Sequence, residues 1–184
     1  DKSDEKPVKQ KRRRTIRNFP ASTFSEAEEF AKELWDFGSG QPVRRLSIFD
    51  ALKKSPESSA SRQLITNASK YGLIKGSYSS ETLELTQEGK IVSDDNRAPR
   101  ERARARIKLA LESIEPFNGL YQRFVNNKLP AKAALIDAVK DFGVTNGAAE
   151  EAVDTFTVNS RDVGLLQTLS GAERFVSIDH YLDN

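Results

Sequence analysis

Between Leu46 and Val92 the apolar positions change period twice. Leu46, Ile48, Phe49 and Leu52 predict the inner side of a short helix over 46–53. A turn follows at Ser55-Pro56, where proline fixes φ and removes a backbone donor. A second helix is predicted over 57–71, with Ala60, Leu64, Ala68 and Tyr71 along its buried stripe and Gly72 as its stop. Alternation then predicts two strands, 73–77 and 82–86, with Leu83 and Leu85 inward and Thr82, Glu84 and Thr86 outward. A polar tip, Tyr78-Ser79-Ser80-Glu81, joins them. Thr86 is placed to cap the turn after the second strand, and Gly89 to permit a close backbone approach. Helix, turn, helix and β-hairpin is the order of a winged helix-turn-helix, which sets its second helix against a nucleic-acid groove or another protein.

The flanking segments are mostly helical. Ser25 with Glu28 reads as a capping box for a helix whose buried face is Ala27, Phe30, Ala31, Leu34 and Phe37, ended by Gly38 and Gly40. Trp35 lies off that stripe and is read as covering the core edge. Ser93-Asp94-Asp95-Asn96 is the clearest boundary in the chain. Beyond it, one helix is predicted over 99–114, with Ala103, Ile107, Ala110, Leu111 and Ile114 inward. Others start at Pro116 (Phe117, Leu120, Tyr121, Phe124), at Pro130 (Ala134, Leu135, Ala138, Val139) and at Ala148 (Ala149, Ala152, Val153, Phe156). A closing hairpin, 166–169 with 174–178, precedes a terminus read as loose. No internal repeat is visible. The expected fold class is mainly α with small β-hairpins (α+β): a basic tail over 1–18, a winged helix-turn-helix over 19–93, and a compact helical domain with a closing hairpin over 97–184.

Composition narrows the chemistry. Without cysteine and with His180 as the single histidine, thiolate chemistry, disulfides and histidine metal clusters are excluded. No glycine-rich phosphate loop is present, and the adjacent carboxylates Glu28-Glu29 and Glu150-Glu151 sit at helix starts, where the dipole favours them. The expectation is therefore no catalytic residues, no cofactor, no metal and no enzyme activity. The chain has no apolar run of bilayer length and does not begin with methionine. It reads as soluble, cytoplasmic and a piece of a longer protein. The net charge of +2 is unevenly spread: residues 1–19 carry +5 and residues 97–108 another +5, leaving −8 on the remainder.

That distribution defines the candidate interface. Ser59, Arg62, Thr66, Ser69 and Lys70 fall opposite the buried stripe of the second predicted helix. Lys75 and Tyr78 belong to the wing, and Arg12, Arg13 and Arg14 form a basic run suited to phosphate by counterion release or to solubilising a tail. Small hydroxyls with two cations suit a phosphate backbone, and suit a plain solvated helix equally. Two functions follow: a non-catalytic module binding double-stranded DNA, and a protein-interaction or oligomerisation module whose helical half makes a homodimer or takes a partner protein. DNA is placed first, with no membrane role.

Several motifs also resemble a family of uncharacterised prokaryotic proteins in which a winged-helix segment precedes a small helical one. They are Ser39-Gly40-Gln41-Pro42-Val43-Arg44, Ser55-Pro56-Glu57-Ser58-Ser59-Ala60-Ser61-Arg62, Thr66-Asn67-Ala68-Ser69-Lys70-Tyr71-Gly72-Leu73 and Leu85-Thr86-Gln87-Glu88-Gly89. Phe117, Leu120, Tyr121, Phe124, Leu129-Pro130, Asp154-Thr155-Phe156 and Val163-Gly164-Leu165-Leu166 extend the likeness over about 19–178. The resemblance implies a module found beside TIR-like or other predicted nucleotide-binding effector domains, in settings of host defence. It supplies no catalytic residues.

Overall fold

A computed structural model describes residues 17–184, so Ile16 and the Arg12 to Arg14 run lie outside the described residues. The chain is mainly helical with small antiparallel sheets, an α+β arrangement. In its first half come α1 (Phe24–Gly38), β1 (Val43–Arg44), α2 (Arg45–Ala51), α3 (Ser59–Lys70), β2 (Ile74–Lys75), β3 (Thr82–Leu85) and α4 (Gln87–Ser93). The second half has α5 (Pro99–Ile107), α6 (Glu115–Phe124), α7 (Lys132–Val139), α8 (Asn146–Asp162), β4 (Leu166–Leu169), β5 (Ala172–Phe175) and α9 (Ile178–Asp183). The three-stranded sheet has the order β1-β3-β2, and β4 pairs with β5. Among the described residues no helix is long and apolar enough to cross a membrane.

One apolar core runs through both halves. The segment before α1 joins them, because its groups are taken up alternately by each. Phe19 packs on Phe117, ring centroids 5.9 Å apart, and the Ala21 N–H donates to the Asn67 side chain. The Tyr71 hydroxyl donates to the Ser22 carbonyl at 2.6 Å, while the Phe24 N–H donates to the Asn159 side chain at 2.9 Å. Phe24 and Tyr71 then meet edge to face at 5.4 Å, a favoured aromatic geometry. Burial pushes the Tyr71 hydroxyl pKa well up, against the lowering effect of its bond with Asn159.

Several expected positions move by a fraction of a turn. The cap of α1 is Thr23, not Ser25, because buried Phe24 with its N–H held by Asn159 has to be the first helical residue. Phe37 is 50% exposed, since β1 packs on the neighbouring position: a Cβ on Gly38 would sit 2.6 Å from the Val43 methyl. Leu46 is also outside, two residues (about 200°) from Ile48, which with Phe49 fills the inner side of α2. In α3 the inward stripe is Ser61, Ile65 and Ala68 rather than one starting at Ala60. The fully polar Ser61 is tolerated there because its hydroxyl meets Ser58 Oγ at 3.0 Å. Ala134 is likewise exposed, one position from buried Leu135.

The helix expected over 99–114 is broken. After Ile107 it widens into a π-helical turn, Lys108–Glu112, a local distortion of an α-helix. The terminus is not loose: Ser177 caps α9, and Arg100 holds it through the Leu182 carbonyl at 2.7 Å and the Asp183 carboxylate at 2.9 Å. Leu83 and Leu85 point inward as expected, and Thr86 caps α4 by accepting from the Gly89 N–H.

Candidate nucleic-acid interface

The side of α3 turned away from the core belongs to Ser59, Arg62 and Lys70, all exposed, with Thr66 and Ser69 half-buried along its edge. Ser58 starts the helix by accepting from the Ser61 N–H at 3.1 Å, which orients the first turn and directs Arg62 outward. The hairpin tip is ordered by Ser77 and Ser80, the Ser77 N–H donating to Ser80 Oγ at 2.8 Å. This places Tyr78 beside α3, with the Arg62 guanidinium 5.0 Å from its ring centroid. Lys75 lies exposed on β2. The structure therefore brings Arg62 and Tyr78 together and leaves Lys70 and Lys75 without an ion pair among the described residues.

Two residues organise this surface that sequence reasoning did not single out. Arg45 donates from Nε to the Ser80 carbonyl at 3.0 Å, and its backbone N–H donates to the Glu81 carbonyl at 2.9 Å. It thereby ties the start of α2 to the tip of the β2–β3 hairpin. Glu57 bridges Arg45 and Arg62, each guanidinium donating to one carboxylate oxygen at 3.1 Å. The hydrogen bond from Arg45, then that from Arg62, holds the Glu57 carboxyl below the usual carboxylate range. The bridge is therefore closed at neutral pH and opens only as pH falls through that lowered value. The adjacent pair Arg44-Arg45 at the start of α2 was the available signal for Arg45. No period in the sequence pointed to Glu57, which lies in the turn.

The second basic block serves another purpose. Arg97, Arg100, Arg102, Arg104, Arg106 and Lys108 each face at least one carboxylate. Arg106 is the most enclosed, chelated by Glu28 of α1 at 2.7 Å and paired with Asp162 of α8 at 2.9 Å. A planar fork shared between two helices is a positioning device. Arg106 is thus a strut between the halves, while the other five cations of the block are met by carboxylates at the surface, which offsets the charge they present to an external anionic partner.

Among the described residues no group of three or more His, Asp or Glu side chains is placed to hold a metal ion. A scan of protein-family models, a search of curated proteins and a search of solved structures returned no match.

Proposed function

We propose that residues 19–93 form a winged helix-turn-helix and that the chain is a non-catalytic module binding double-stranded DNA through α3 and the wing. What supports this reading is one juxtaposition. α3 leaves a hydroxyl-rich, cationic side uncovered by the described residues, and the β2–β3 tip carries Tyr78 to the Arg62 end of that side. The order helix, strand, helix, helix and hairpin, with the first strand against the third, is that of the winged class. Arg62 is the main base or phosphate contact in this reading. Lys70, Ser59, Thr66 and Ser69 follow the backbone, Lys75 and Tyr78 serve the wing, and Arg12, Arg13 and Arg14 bring tail charge. The family resemblance adds a setting, beside an effector domain in prokaryotic defence.

A pair of opposite-sign substitutions tests it. Arg62→Ala is expected to weaken binding to random-sequence duplex by about 1–3 kcal/mol, with the melting temperature nearly unchanged. Glu57→Gln, which removes the carboxylate competing for Arg45 and Arg62, is expected to tighten binding roughly 2- to 5-fold. Fluorescence anisotropy at two salt concentrations reads both, and wild-type affinity should fall with salt. Equal affinities for wild type and Arg62→Ala would remove α3 as the reader.

Leu46, 59% exposed on α2, and Phe37, 50% exposed at the end of α1, favour a second reading as an interaction module. It expects concentration-dependent self-association in sedimentation velocity, weakened by Leu46→Ser. A monomer at the highest concentration tested rejects the homodimer form of it.

A further inference from the structure

The two halves share more than a core. In the first, α3 ends where the Tyr71, Gly72 and Leu73 N–H groups donate to the carbonyls of Asn67, Ser69 and Ala68 at 2.9, 2.9 and 3.0 Å. In the second, α8 ends where those of Val163, Gly164 and Leu165 donate to Asn159, Arg161 and Ser160 at 3.0, 3.1 and 2.9 Å. Gly72 and Gly164 take the same left-handed conformation, φ 78° and 85°. The hairpins start in one register, Ile74 opposite Leu85 and Leu166 opposite Phe175. Both close with the same bond, Thr86 N–H to the Leu73 carbonyl and Val176 N–H to the Leu165 carbonyl.

A third strand position is repeated as well. Val43, before α2, pairs with β3, and Lys128, before α7, bridges to Arg174 of β5. Each hairpin is followed by a short hydroxyl-capped helix, α4 behind Thr86 and α9 behind Ser177. Asn67 and Asn159 occupy equivalent places, and both accept a backbone N–H from the segment leading into α1. The sequence hides this because the second hairpin has a tighter turn and α8 starts earlier than α3, so no single offset aligns the halves.

Carrying the helix-end register back along α8 sets Glu151 at the place of Ser59, Asp154 at that of Arg62 and Asp162 at that of Lys70. Glu151 pairs with Arg17 and Asp162 with Arg106, each at 2.9 Å, so the outer edge of this face is made by Asp154 and by Glu150, one residue before Glu151. Both are exposed, and among the described residues these two carboxylates share one cation, Lys132, 2.9 Å from each. We infer that the chain is a tandem pair of one unit, and that the second copy has a charge-inverted helix face that repels phosphate, confining a duplex to the first. The inference rests on the reading of α3 as the nucleic-acid face.

Glu150→Lys with Asp154→Lys tests it, because both side chains are exposed and their one ion-pair partner among the described residues, Lys132 of α7, is itself at the surface. Installing cations where Arg62 has its counterpart is expected to create a second duplex-binding face. Affinity should rise about 10-fold at low salt and the log–log salt slope should steepen by about two. In the Arg62→Ala background the same pair should restore binding. If wild type binds and neither background gains, the tandem inference falls and α3 remains the reader. If wild type does not bind but the lysine variant does, the proposed function falls and takes with it the confinement of a duplex to the first copy. Binding by neither overturns both.

Discussion

Asn159→Ala is expected to lower the free energy of unfolding by about 3–5 kcal/mol, several times the effect of a typical surface substitution. Asn159 is fully buried, and its amide does three things at once. Its oxygen accepts the Phe24 N–H at 2.9 Å, and its nitrogen donates to the Tyr71 hydroxyl at 3.0 Å and to the Ala110 carbonyl at 3.2 Å. Those partners belong to α1, to the end of α3 and to the π-turn after α5, so one side chain holds three elements. Removing it leaves a buried N–H at the first residue of α1 without its acceptor and opens a cavity in place of the amide.

Asn67→Ala is the internal control. Asn67 is 6% exposed and its oxygen accepts only the Ala21 N–H, so its loss should cost about 1–2 kcal/mol. Asn159→Asp is expected to be nearly as damaging as Asn159→Ala, since it exchanges the donating nitrogen for a buried charge. Urea unfolding of the three variants measures this. Equal, small losses at Asn67 and Asn159 would mean that the halves are not joined through Asn159.

The same residue shows where sequence reasoning reaches and where it stops. Period and punctuation placed α1, α2, α3, both hairpins and the helical second half, because glycine, proline and apolar spacing act locally. The inward face of α3 was set a fraction of a turn off because a buried polar residue is invisible to hydrophobic spacing. Ser61 lies inside with its hydroxyl met by Ser58, the cap of its own helix, and Asn67 by virtue of a partner in another segment, Ala21. The proposed interface was half legible for a related reason. Arg62, Lys70 and Tyr78 announced themselves by type, whereas Arg45 matters through a contact formed once the hairpin folds back on α2, and Glu57 through its bridge between Arg45 and Arg62. The charge of α5 misled in the opposite direction: six cations on one stretch look like a binding surface until their carboxylate partners, drawn from α1, α4, α8 and α9 among others, come into view.

Gly89→Ala is expected to destabilise by about 3 kcal/mol or more, although Gly→Ala inside a helix ordinarily stabilises by about 1 kcal/mol. The sign reverses because α4 crosses the backbone of the β2 lead-in at this residue. A Cβ on Gly89 would stand 2.0 Å from the Leu73 carbonyl oxygen, a main-chain atom that cannot swing aside. That carbonyl already receives the Thr86 N–H at 3.0 Å, the Thr86 hydroxyl donates to the adjacent Gly72 carbonyl at 2.6 Å, and Thr86 Oγ1 in turn accepts the Gly89 N–H at 2.9 Å. Relieving the clash means moving β2, and with β2 the tip that holds Tyr78 against Arg62. Duplex affinity should therefore fall together with stability, in contrast to Arg62→Ala. Gly171→Ala separates crowding from conformational strain: no atom lies within 4 Å of its Cβ position, and φ of 81° alone should cost about 1 kcal/mol. Chemical denaturation of both variants, with anisotropy titration of the folded fraction, gives the comparison. A Gly89→Ala protein as stable as wild type, or no less stable than Gly171→Ala, would mean that the α4–β2 crossing does not set the position of the β2–β3 hairpin.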